Sequence, residues 1–113
     1  MTQLTESNFN SVSLPDGERL RQTDGVVLRK VAGEYMLVPT VTREVDLDSL
    51  FLLNATGVWV WEHLDGVRSV QELGETVAQH FSVALSVALS DVTNFLLSLL
   101  DRNLVKRTGA NGN

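Results

Sequence analysis

The chain of 113 residues contains no cysteine. That absence removes disulfide staples, thiolate metal sites and cysteine nucleophiles together. It also excludes a cysteine-bound iron–sulfur cluster and the radical chemistry that depends on one. Basic residues are few: nine Lys and Arg stand against fourteen Asp and Glu, for a formal net charge of -5. Neutralising a phosphate backbone needs clustered Lys and Arg, so nucleic acid is not an expected partner. A membrane span would want about 20 mostly apolar residues. The longest apolar-rich stretch, Val83 to Leu100, is interrupted by Asp91, Asn94 and several hydroxyls, and reads instead as an amphipathic helix. The opening residues MTQLTESNFNSVSLPDGERL have no basic region followed by an apolar one, so no secretory signal is expected. The expectation is a cytoplasmic protein with no membrane partner.

What is present fits one domain of ordinary globular composition, 43% hydrophobic and 20% charged. Residues 1–24 are polar and show no sustained period, which predicts a flexible arm. Residues 25–107 carry the periodic segments and are the predicted domain. Residues 108–113 are predicted to be a disordered tail.

Val26 to Val31 is rich in β-branched residues and predicts a strand. Ala32-Gly33 then offers a two-residue hairpin turn. Tyr35 to Val38 is the predicted return strand, stopped by Pro39, which has no N–H for a ladder. After a polar connection over 40–47, Ser49 to Leu53 reads as a third strand covered on both faces. Asn54 can cap a first helix that places Val58, Trp61 and Leu64 on one side, with Gly66 as its left-handed stop. Ser69 and Glu72 have the spacing of a capping box. Val70, Leu73, Val77 and Phe81 follow as a helical stripe. Gly74 within it costs about 1 kcal/mol against Ala and is either a close-packing point or simply tolerated. A third helix, about Ser86 to Arg102, carries Leu85, Leu89, Val92, Leu96, Leu99 and Leu100. Phe95 and Leu97 widen that stripe beyond one packing face, which points to a second apolar surface.

Few residues invite a chemical role. His63 and His80 have no ligand-spaced partners, and surface positions account for them. Asp46/Asp48 and Glu72/Glu75 read as loop charges and acids that complement a helix N-terminus, not as an acid–base pair. Trp61 fits the core, whereas Trp59, two positions away, falls on another face of the helix and is expected to be partly exposed.

The ordered set Leu53-Asn54, Gly57, Val60-Trp61, Leu64-Asp65-Gly66, Ser69-Val70 with Glu72-Leu73, Asp91-Val92, Phe95-Leu96, Leu99 and Leu104-Val105 resembles the PqqD-like family of RiPP recognition elements. The resemblance covers residues 26 to 105. Trp59 stands where members usually carry a polar residue, and His63 where many carry an aliphatic one. The resemblance implies an α+β fold, winged helix-turn-helix-like, in which a three-stranded antiparallel sheet is followed by three helices. It implies a non-catalytic protein without a cofactor or bound metal. Its partners would be the leader of a ribosomally made precursor peptide and a modifying enzyme, often a radical SAM enzyme. The leader would add as a strand to Ser49, Leu50, Phe51, Leu52 and Leu53 and pack against Val92, Phe95, Leu96 and Leu99. A winged-helix DNA-binding regulator and a small structural subunit of an enzyme complex are the alternatives. The acidic faces of the second and third helices weigh against the first of these.

Overall fold

The computed structural model describes residues 14, 15, 17–40 and 51–108. In chain order its elements are β1 (Arg19–Gln22), β2 (Val26–Val31), β3 (Glu34–Pro39), β4 (Phe51–Leu53), α1 (Ala55–Glu62), β5 (Asp65–Ser69), α2 (Val70–Phe81), α3 (Leu85–Asp101) and β6 (Val105–Arg107). The expected α+β arrangement, an antiparallel three-stranded sheet with three helices, is present. Strands β2, β3 and β4 pair in that order.

Local signals explain most boundaries. Ala32 and Gly33 both take positive φ, at 53° and 84°, as a type I′ hairpin turn requires. The Asn54 side chain accepts the Gly57 N–H at 2.8 Å and starts α1. Ser69 accepts from Glu72 N–H at 3.1 Å, while the Glu72 carboxylate accepts from Ser69 N–H at 2.8 Å, closing the capping box of α2. Val70, Leu73 and Val77 of α2 and Val92, Leu96 and Leu99 of α3 lie in one core with Trp61 and Leu37. Gly74 is a close-packing point: a Cβ there would lie 2.5 Å from Leu89 Cδ2 on α3.

Three features depart from the sequence reading. The arm expected over residues 1–24 contains β1, with Leu20 only 1% exposed and Leu14 buried as well. One apolar residue in a four-residue strand shows no readable period. What makes it a strand is pairing to two distant segments, β5 and β6. These three form a second sheet, in the order β5-β1-β6.

Gly66 does not end the first helix. That helix stops at His63, and Gly66 sits at φ 82° inside β5. The pairing of Arg19 with Ser69 and of Arg21 with Asp65 sets three residues of β1 against five of β5. The bulge is held by the Asp65 carboxylate, which accepts the N–H groups of Val67 and Arg68 at 2.9 and 3.0 Å. A side-chain-to-backbone turn of this kind competes with a helix stop for the same Asp-Gly signal. The third departure is at Thr108, placed at sequence level in the tail. Its N–H donates to the Arg19 carbonyl at 3.0 Å. Residues 1–13 and 16 of the arm, 109–113 of the tail, residues 41–47 of the expected connection, the Asp46/Asp48 pair, and Ser49 and Leu50 of the expected third strand lie outside the described residues.

Candidate functional site

Among the described residues strand β4 is an edge of its sheet, and its register shows which groups it presents. The β2–β3 hairpin closes on the pair Val31 and Glu34. A two-residue loop makes that pair a hydrogen-bonded one, and hydrogen-bonded pairs then alternate. Glu34, Met36 and Val38 therefore direct their backbone groups to β2, and the Thr40 N–H to Gly25 carbonyl bond continues the same phase. Tyr35 and Leu37 direct theirs to β4, where they face Leu53 and Phe51. Leu52, opposite Met36, is left with its N–H and C=O pointing away from the sheet. Its side chain is 59% exposed on the outer face. Leu53 turns inward into the core.

Beside this edge runs α3. The rings of Phe51 and Phe95 meet edge to face with centroids 6.0 Å apart. The Arg102 guanidinium lies 5.3 Å above the Phe51 ring, a favourable stacking geometry. At the other end a cleft of about 260 Å³ opens between α1 and α3, lined by Asn54, Thr56, Gly57, Val60, Asp91, Val92 and Phe95. Gly57 keeps the wall between them thin, since a Cβ there would lie 3.2 Å from Phe95 Cε1 and 3.3 Å from Leu53 Cβ.

The helix residues expected to face a peptide separate into two groups. Val92, Leu96 and Leu99 are 1%, 0% and 0% exposed, so they are core and have no surface to offer. Phe95 alone of the four is half-buried at the groove. The wide apolar stripe counted core residues as groove residues because a helix packed on two sides shows apolar positions around more than half its circumference. The sequence reading overlooked Arg102. The signal was available in the spacing Asp91, Phe95, Ser98, Arg102, which is i, i+4, i+7, i+11 and lies along one face.

The remaining polar features do not assemble a reactive centre. Trp59 stacks on His80 with centroids 3.6 Å apart and lies against His63 at 4.4 Å. His63 Nδ1 donates to the Trp59 carbonyl at 2.7 Å. Both histidines serve this aromatic stack. The backbone N–H groups of Arg68 and Val67 hold the Asp65 carboxyl below the usual carboxylate range, helped by the Arg68 guanidinium at 2.6 Å. No group of three or more His, Asp or Glu suited to a metal ion occurs among the described residues. No helix among them is long and apolar enough to cross a membrane.

Among the described residues the site is thus the outer edge of a three-stranded sheet, flanked by a helix that supplies an aromatic wall. Residues 26–105 match the family model described as coenzyme PQQ synthesis protein D (PqqD), and the chain belongs to that family. Two solved structures share the fold. One is the solution NMR structure of the PqqD truncation of Methylobacterium extorquens PqqCD, described as a functional and stand-alone RiPP recognition element. It is 19% identical with a TM-score of 0.67, over 85% of this chain and 97% of that one. The other is TbiB1 in complex with the TbiA(beta) leader peptide, 23% identical with a TM-score of 0.59, over 76% of this chain and 94% of that one. No curated protein is significantly similar in sequence.

Proposed function

We propose that this chain is a non-catalytic adaptor that binds the leader of a ribosomally synthesised precursor peptide and presents it to a modifying enzyme. The leader adds as a strand to the edge of β4 that is unpaired among the described residues, and lays its apolar side chains against Phe51 and Phe95. The observation that carries this reading is the outward N–H and C=O of Leu52 beside that aromatic groove. An unpaired edge accepts an extended peptide whatever its sequence, and pockets for alternate side chains supply the selectivity. TbiB1, which shares the fold, is solved in complex with a leader peptide, and this supports leader binding as the role. A radical SAM enzyme is the proposed partner. The iron–sulfur cluster that such chemistry needs would have to come from the partner, since this chain has no cysteine. An affinity in the range of roughly nanomolar to micromolar suits delivery followed by release.

The test is a heteronuclear NMR titration of the labelled protein with the leader segment of a short peptide encoded beside it. Shifts concentrated at residues 51–54 and along Asp91, Phe95 and Arg102 are expected. An unchanged spectrum with that peptide, alongside general signal loss on adding the neighbouring enzyme, would instead make the chain a structural subunit.

A further inference from the structure

The groove has a charge at each end, and the charges are of opposite sign. A helix turns about 100° per residue, so Arg102 is only about 20° from Asp91 around the axis after eleven positions. Asp91, Phe95, Ser98 and Arg102 therefore form one stripe, whereas Asp101 falls on a different face. Phe51 and Phe95 fix this stripe against β4. Arg102 stands over Phe51 at the start of the strand. Asp91 lines the cleft with Asn54 and Gly57 just past the strand's end. Asp91, Ser98 and Arg102 are exposed, and neither charged group forms an ion pair among the described residues.

We propose that these two charges set the direction and register of the bound peptide, a proposal that rests on the strand-addition reading above. Every pairing in the sheet is antiparallel, and a strand added to β4 in the same sense starts at the Asp91 end and finishes at the Arg102 end. Its recognition segment carries a Lys or Arg near its beginning and an Asp or Glu near its end. Apolar residues at alternate positions between them face Phe95 and Phe51. Eleven helical positions span about 16 Å, and a strand covers that in about five residues. Side chains that face the helix recur at every second position, so the occupant is an extended peptide with a basic residue about four or six positions before an acidic one. Entered in the opposite direction, the same peptide would set Lys against Arg102 and Glu against Asp91. The paired like charges would discriminate against that orientation.

The experiment selects a displayed library of random twelve-residue peptides against the full chain. The Asp91→Lys/Arg102→Glu double variant and Leu52→Pro are run in parallel. Both charged side chains are exposed, so the double variant keeps the fold. The expected result is enrichment of the basic–apolar–acidic order on the parent protein and of the reversed order on the double variant, with each charge worth about two- to fivefold in affinity. Selected peptides that need an intact Leu52 edge but show no charge order, or the same order on both proteins, would overturn the polarity and leave strand addition standing. Selected peptides that bind Leu52→Pro as well as the parent, or failure to recover any binder, would remove the edge site and the polarity with it.

Discussion

Phe95 is the one member of the α3 stripe divided between two duties, since its ring touches Phe51 and lines the cleft while its backbone belongs to a helix buried on the opposite side. Truncation should therefore affect binding more than folding. Phe95→Ala is expected to keep the chain's cooperative unfolding and to lower leader affinity about tenfold or more, as loss of an aromatic anchor commonly does. Fluorescence anisotropy with labelled leader peptide measures the second effect and circular dichroism the first. Asp65 supports a prediction of a different kind. Its folded carboxyl titrates below the unfolded value, so the folded state binds fewer protons between the two. The stability this contributes is present above about pH 4 and is lost as pH falls through the lowered folded value. Asp65→Ala should be less stable than the parent at pH 7, and the difference should shrink steadily in thermal melts taken below pH 4. A gap that stays constant with pH would mean that the bulge does not depend on the charged carboxylate.

At the scale of elements, Gly74 records how closely α2 and α3 approach. Ala at that position gains about 1 kcal/mol of helix propensity but forces its Cβ into Leu89, and overpacking of this kind costs about 1–3 kcal/mol. A net loss of about 1 kcal/mol is expected for Gly74→Ala in denaturant titration. In the Leu89→Ala background the same change should become neutral or stabilising. For β4, Leu52→Pro removes the outward N–H and is expected to weaken leader binding about tenfold. Leu52→Thr keeps the N–H and most of the affinity, because that side chain stands on the outer face.

Elements whose signal is local were legible in advance. The Ala32-Gly33 turn, the Asn54 cap, the Ser69/Glu72 box and the Val70-Leu73-Val77 stripe each carry their own instructions within a few residues. Strands β1 and β5 do not. The first contains a single inward Leu between arginines, and the second begins with an Asp-Gly pair that reads equally well as a helix stop. Their strand character exists only once they lie beside each other, Arg19 against Ser69 and Arg21 against Asp65, across more than forty positions of chain. The geometry of the proposed site was readable to a similar depth. Its edge strand and Phe95 could be named, but the division of the α3 apolar residues between core and groove depends on which neighbours pack there.

For the molecule as a whole, the second sheet ties the start of the described domain to its end. Leu20 is the inward side chain of its central strand. Leu20→Ala should cost about 2–5 kcal/mol, read from the denaturation midpoint, although the residue lies far from the proposed groove. A chain cut to begin at residue 25 should likewise lose cooperative unfolding. Either result distinguishes a structural strand from a dispensable arm.

The bond from the Thr108 N–H to the Arg19 carbonyl has a consequence for architecture. Arg19, at the start of β1, and Thr108, just past β6, thus lie side by side at the ends of adjacent antiparallel strands. A unit whose two ends emerge together is portable. It can be spliced into a surface loop of a larger protein, or joined to one by either end, without stretching the host, and closing such a short gap demands little chain entropy. The geometry therefore suits a domain that stands alone and one that is carried as an insert.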